Sequence, residues 1–217
     1  MAVSCSDTTA NVKSTQDALD IGKCEKFKGN IQIGNETDSQ LKFTGLEEVG
    51  GDIQCSNNAG LISLSAPDLK KVGGIFKLEG LAVLSTLDMG SLNSVKELQL
   101  LHLGGLSQLG FGTEGIKSAE RVEISDTRLN SIEGVNVQSL AKMDINNNRH
   151  LAKFDSSIRN LTDVLNINAN GLGGADGGFQ VALPNLEWIA NMTISNVTEF
   201  KVPSLTNVTG NMRFDSN

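Results

Sequence analysis

The chain has no tyrosine and one tryptophan, Trp188. Modules that bind sugar commonly stack it on aromatic platforms, so this scarcity argues against that mode. Trp188 itself reads as core or rim packing, as do Phe76, Phe154, Phe200 and Phe214. Histidine is equally scarce. His102 and His150 fall at different points of the pattern described below and read as turn or surface residues, not catalytic groups. No apolar run reaches the roughly 18 residues that a membrane-spanning helix needs, and no block of like charge forms an interaction tail. Cysteine and histidine do not occur at metal-ligand spacing. Asp144-x-Asn146-x-Asn148 opens like a calcium loop, but Arg149 stands where the loop requires glycine and Asp155 where it requires glutamate. Gly173 to Gly178 is glycine-rich without a following helix or Lys-Ser/Thr pair, so it reads as a corner insertion and not a phosphate cradle. A polysaccharide-cleaving β-helix would need clustered carboxylates beside a histidine, and none is spaced that way. The expectation is no catalytic residue, no metal and no cofactor.

What is present is acidic and periodic. The 217 residues carry 18 basic and 25 acidic side chains, a net charge of −7. Such a surface repels phosphate backbones, which disfavours nucleic acid and anionic membranes as partners. One apolar–polar–apolar phrase returns nine times: Ile31-x-Ile33, Ile53-x-Cys55, Phe76-x-Leu78, Leu98-x-Leu100, Val122-x-Ile124, Met143-x-Ile145, Leu165-x-Ile167, Met192-x-Ile194 and Met212-x-Phe214. The spacings are 22, 23, 22, 24, 21, 22, 27 and 20 residues. A near-constant period of this length predicts a mainly β, parallel β-solenoid of nine coils, in which each coil buries its apolar residues only by stacking on the next. At roughly 4.8 Å per strand this makes a rod about 40 Å long.

Within a coil, Ile53/Cys55 reads as a strand with one buried face. Asn57-Asn58 turns the chain, since asparagine tolerates left-handed backbone angles. Leu61, Leu64, Leu69 and Val72 return to the core. Asn58, Asn148, Asn170 and Asn217 share one register, which suggests a ladder of side-chain amides bonding backbone groups bared at a corner. The residues between the strand apolars are Gln32, Gln54, Lys77, Gln99, Glu123, Asp144, Asn166, Thr193 and Arg213. This polar column is the candidate binding face; an ordinary solvated sheet surface is the other reading, and both stay open.

Residues 1–26 are expected to cap a solenoid spanning 27–217. Ser14-x-x-Asp17 is a helix-capping signal, placing a short helix near 15–21. The far end, at Phe214-Asp215-Ser216-Asn217, stops as a new coil starts and looks unfinished. Three cysteines allow one disulfide and one odd thiol. Cys5 and Cys24 precede the first coil, whereas Cys55 falls on an inward position and reads as a small buried hydrophobe. Five Asn-x-Thr sequons occur, at Asn35, Asn160, Asn191, Asn196 and Asn207. Chance gives about one of the Thr type, so they point to a secreted glycoprotein. The opening Met1-Ala2-Val3-Ser4-Cys5 carries no secretory leader, which is read as a mature or trimmed chain.

Several segments together resemble a known family. They are Cys5-Ser6-Asp7 with Cys24, Gly29-Asn30-Ile31-Gln32-Ile33, Leu46-x-x-Val49-Gly50-Gly51-Asp52-Ile53 with Ser56-Asn57-Asn58-x-x-Leu61, and Pro203-Ser204-Leu205-x-x-Val208-Thr209-Gly210-Asn211-Met212. The sequence is similar to fungal GPI-anchored cell-wall organisation proteins of the extracellular-mutant and sporulation-specific group. These in turn resemble the receptor L domains of insulin and EGF receptors. The resemblance implies a right-handed, leucine-rich-repeat-like solenoid, a Cys5–Cys24 disulfide, secretion, N-glycosylation, and a non-enzymatic role in wall integrity. It implies a cell-surface location, with the anchor carried by a longer parent chain and no direct membrane insertion here. A partner would be a wall polysaccharide or a surface protein. Two alternatives are a receptor-like module taking a protein or peptide on the polar column and, more remotely, a polysaccharide-active enzyme.

Overall fold

Alternating apolar and polar residues bounded by glycine and asparagine fold as short parallel strands, because each strand has one face to bury and a turn-forming pair to end it. The computed structural model describes residues 3–171 and 179–215. The chain enters through β1 (Thr9–Val12), the helix α1 (Thr15–Gly22), β2 (Lys26–Phe27) and β3 (Asn30–Ile33). It continues through β4 (Gln40–Lys42), β5 (Glu48–Val49), β6 (Ile53–Ser56), β7 (Ser63–Ser65), β8 (Lys71–Glu79), β9 (Thr86–Asp88) and β10 (Ser94–Leu101). After β11 (Arg121–Ser125) and β12 (Ser139–Asn146) come β13 (Lys153–Asp155), β14 (Asn160–Asn168), β15 (Phe179–Ala182) and β16 (Trp188–Ser195). The last are β17 (Val197–Lys201), β18 (Asn207–Val208) and β19 (Met212–Asp215). They stack as a parallel β-solenoid of about nine turns.

The main sheet runs β1-β3-β6-β8-β10-β11-β12-β14-β16, with β18 and β19 both on β16. All nine apolar–polar–apolar phrases fall on it in one register: Ile31 pairs Ile53, Ile53 pairs Phe76, and so on to Met192 with Met212. The longer strands pass through a bend, marked by register shifts between Val95 and Glu97, Leu140 and Lys142, and Leu161 and Val164. A further face is built from β4-β7-β9 at one end and β13-β15-β17 at the other. Between them residues 103–117 and 127–137, on either side of β11, keep the coil path without strands, joined by the Ile116–Val135 bridge and the Met89 N–H to Gly110 carbonyl bond.

The core is one continuous column of leucine, isoleucine, valine and phenylalanine from Val12 to Val197. Each fully buried side chain of this kind contributes roughly 1.5–3 kcal/mol, and no coil could shield its own. In the last described strand Met212 and Phe214, inward by register, are 39 % and 49 % exposed, and the Phe214 ring lies edge-on to Phe200. Cys55 is buried in the stack, and burial pushes its thiol up to about 12. A thiol reagent should therefore leave Cys55 unlabelled in the native protein and modify it only on unfolding; labelling at the rate of a free thiol would mean the coil opens locally.

The N-terminal segment is more than a cap. The capping box at Ser14 and Asp17 forms as the sequence indicates, and α1 reaches Gly22. Asp38 accepts hydrogen bonds from the Thr15 backbone N–H and hydroxyl at 2.6 and 2.7 Å, which pins the helix start to the next coil. These bonds hold the Asp38 carboxyl below its usual range. Residues 9–12, however, form a rung of the main sheet, Ala10 opposite Ile31 and Val12 opposite Ile33. The boundary between cap and solenoid therefore falls inside residues 1–26. Ala10-Asn11-Val12 precedes Ile31 by the usual interval of 21 residues; a small alanine in the first apolar place hid the repeat. The Cys5–Cys24 disulfide closes this segment, with Cα atoms 5.5 Å apart.

Candidate functional site

The nine residues of the polar column are brought together. Gln32 pairs Gln54, then Lys77, Gln99, Glu123, Asp144, Asn166, Thr193 and Arg213 follow rung by rung. The strand period forces this, since the residue between two buried apolar neighbours must face outward. Much of the column is engaged with itself or its flanks. Lys77 pairs with Glu79 at 2.8 Å, which lowers the Glu79 carboxyl, and Gln54 donates to Asp52 at 3.0 Å. Asp144, 6 % exposed, takes Lys142 and the Asn166 amide, each at 2.6 Å. That contact raises the Lys142 ammonium above its ordinary value. Arg213 pairs with Asp215. Gln99, Glu123 and Thr193 make no side-chain hydrogen bond or ion pair among the described residues.

Where the main strands from β6 to β16 end, seven successive coils make the same turn. Asn57, Gly80, His102, Asp126, Asn147, Ala169 and Asn196 each stand one residue past a strand, with φ between 53° and 65°. Left-handed backbone is costly for most side chains, and Asn, Asp and Gly dominate here for that reason. The residue after this turn points inward. In three successive coils it is polar: Thr127, Asn148 and Asn170, all buried. Asn148 accepts from the Thr127 N–H (3.1 Å) and hydroxyl (2.6 Å), and donates to the Ile124 carbonyl and the Asn170 amide oxygen. Asn170 donates to the Ile145 carbonyl at 2.7 Å. The asparagine ladder is therefore real over these coils. Asn58 is separate: it holds the Gly34 carbonyl and Thr37 hydroxyl, because Leu81 and Leu103 occupy the two rungs between. Asn217 lies outside the described residues, as does the glycine-rich segment 173–178.

Just beyond the ladder the sequence reading missed a cluster. Arg128 follows Thr127 and Arg149 follows Asn148, each two residues past the left-handed turn of its coil. The signal was available: Arg128 stands six residues after Val122 and Arg149 six after Met143. With His150 and Asp126 they line a concavity of about 490 Å³. His102 sits on the adjacent rung, its Nδ1 3.4 Å from Asp126. Both histidines are exposed at this corner, as the sequence suggested. A larger concavity, about 660 Å³, opens where the further face lacks strands, lined by Thr113, Ser118, Asn136, Gln138 and the Lys117–Glu114 pair.

The sequons are unevenly placed. Asn35 is exposed in the turn after β3. Asn160 and Asn207 begin β14 and β18 in one register with half-buried Trp188 between them. Asn191 spans coils, donating to the Asp163 carbonyl and accepting from the Asn211 N–H. Asn196 occupies a left-handed turn. Residues 36–159 carry no sequon. Among the described residues no three His, Cys, Asp or Glu side chains gather as a metal site, and no helix is long and apolar enough to cross a membrane.

Comparison with known proteins places this geometry beside fungal surface proteins. The chain is 34 % identical to a protein named ecm33 from Aspergillus fumigatus, over 99 % of this chain and 53 % of that one. It is 33 % identical to a cell surface GPI-anchored protein of Arthroderma benhamiae, over 95 % of this chain and 52 % of the other. It is 29 % identical to the cell wall protein ecm33 of Schizosaccharomyces pombe, over 99 % and 50 %. The chain spans about half the length of the curated relatives it matches. No family model matches, and no solved structure matches.

Proposed function

We propose that this chain is the solenoid part of a secreted fungal cell-wall glycoprotein, which acts without catalysis, by binding, to organise the wall and keep it intact. The observation that carries this is the similarity to proteins named for the wall and the cell surface over nearly the whole chain, 99 % for one and 95 % for another. The form of the molecule agrees with it: a rigid rod whose core is closed to ligands leaves only its outer surface for binding. Sequons, a disulfide and a reading of the longer parent as GPI-anchored fit the same compartment. The likeness to receptor L domains belongs to this proposal.

Deleting the gene in its source fungus should make cells hypersensitive to agents that stress the wall, and the full-length protein should restore tolerance. Purified full-length protein should release no reducing ends from wall glucan or mannan. A deletion strain with ordinary tolerance would remove the wall role; steady release of reducing ends, lost in Asp144→Asn, would replace binding by catalysis. A receptor-like reading has one observation of its own, the unengaged Gln99 and Glu123 at the centre of the column. It predicts a specific protein partner whose binding disappears when Lys77, Gln99 and Glu123 are changed to alanine together.

A further inference from the structure

We propose that the corner formed by Arg128, Arg149 and His150 is a binding site for an oxyanion carried on a saccharide, a sugar phosphate or a sugar carboxylate. The oxyanion is read from the two guanidinium groups, and the saccharide that carries it rests on the wall reading above. Ser125 pairs Asn146 in the main sheet, and Arg128 and Arg149 each stand three residues further on. They are therefore one rung apart, about 4.8 Å along the rod. Two guanidinium groups on adjacent rungs repel one another unless an anion lies between them. Neither has a carboxylate within ion-pair distance among the described residues, although the protein as a whole is acidic at −7. Of the other arginines, Arg159 and Arg213 are paired, while Arg121 has no ion pair among the described residues. The one carboxylate in the concavity is already engaged: Asp126 takes the Asn147 amide on one oxygen, and on the other the Ser125 hydroxyl at 3.1 Å, with His102 nearby.

The corner is also held in place. Thr127 and Asn148, the residues just before the two arginines, are two of the three buried members of the ladder. Their hydrogen bonds fix where each arginine leaves the rod, so little ordering remains to be done on binding. A guanidinium offers parallel donors that match two oxygens of a phosphate or carboxylate. The concavity, about 490 Å³, is in the ordinary range for a small ligand. No sequon lies between residues 36 and 159, so none is borne by the coils that make the corner. The polar column offers no comparable site, since its charges at Lys77, Asp144 and Arg213 already have partners.

Calorimetric titration of the whole chain with glucose 6-phosphate, glucuronate, inorganic phosphate and glucose tests this. Binding of one or both sugar anions is expected, weakened by added salt, with no binding of glucose. Arg128→Gln/Arg149→Gln should raise the Kd about tenfold or more, while Lys201→Gln, on a distant strand, leaves it unchanged. Thermal unfolding of each variant shows whether the fold survives; Arg149→Lys, which keeps the charge and loses the fork, should fall between and serves if the double variant does not fold. Which sugar anion binds decides between phosphate and carboxylate. No binding below about 10 mM, equal affinity in the double variant, or inorganic phosphate binding without either sugar anion would each overturn the proposal.

Discussion

Asn148→Ala is expected to lower the free energy of unfolding by about 3–5 kcal/mol, read as a drop in the denaturant midpoint. The side chain sits fully buried at the centre of the ladder. Its removal strands the Thr127 N–H and hydroxyl and takes a donor from the Ile124 carbonyl, while the Asn148 backbone N–H still holds the Asn170 amide oxygen. A buried polar group left without a partner costs roughly 1–3 kcal/mol, and several are created at once. Entry of a water molecule would recover part of this, which sets the upper end. Thr127→Val should cost less, because it removes one hydroxyl from a site where Asn148 keeps its other bonds. A loss below about 1 kcal/mol for Asn148→Ala would mean that the ladder ornaments the corner without holding it.

Gly73→Ala should cost about 3 kcal/mol, for the opposite reason: there is no room. A Cβ at Gly73 would lie 2.3 Å from the Gly50 carbonyl oxygen, and one at Gly50 would lie 2.4 Å from the Lys28 carbonyl oxygen. The obstacle is backbone on the neighbouring rung, so no side-chain rotation relieves it and the coils must separate. Gly60→Ala is the control. Its Cβ would meet nothing closer than 3.8 Å, and its change in stability should stay within about 0.5 kcal/mol. Equal midpoints for the two variants would show that the stack tolerates local expansion.

These two sites differ in how far the sequence announced them. Gly50-Gly51 and Gly73-Gly74 precede strand phrases one coil apart, but only the stacked rungs show that each meets the backbone of the coil before it. Asn148 and Asn170 share a register with Asn58, which suggested an amide ladder. What the register did not show is that Leu81 and Leu103 interrupt it, so that Asn58 bonds Gly34 and Thr37 instead. The polar column was legible in full, because strand alternation leaves no other place for Gln32 through Arg213. The basic corner was not, because each histidine taken alone reads as a turn residue and Arg128 and Arg149 lie off the strands.

The period alone determined the coil. An apolar pair that recurs every 20–27 residues can be buried only against its own repeats, and that fixes the parallel stack, the inward set and the outward column together. Tertiary structure decided the partners. Whether Asp144 meets Lys142, whether Arg128 stands beside Arg149 with no acid between them, and whether Ala10–Val12 joins the sheet depend on how corners of unequal length bring rungs into line. Burial is set by composition along one strand, whereas pairing of charges is set by distances of a few ångströms between strands, and those exist only once the rod is built.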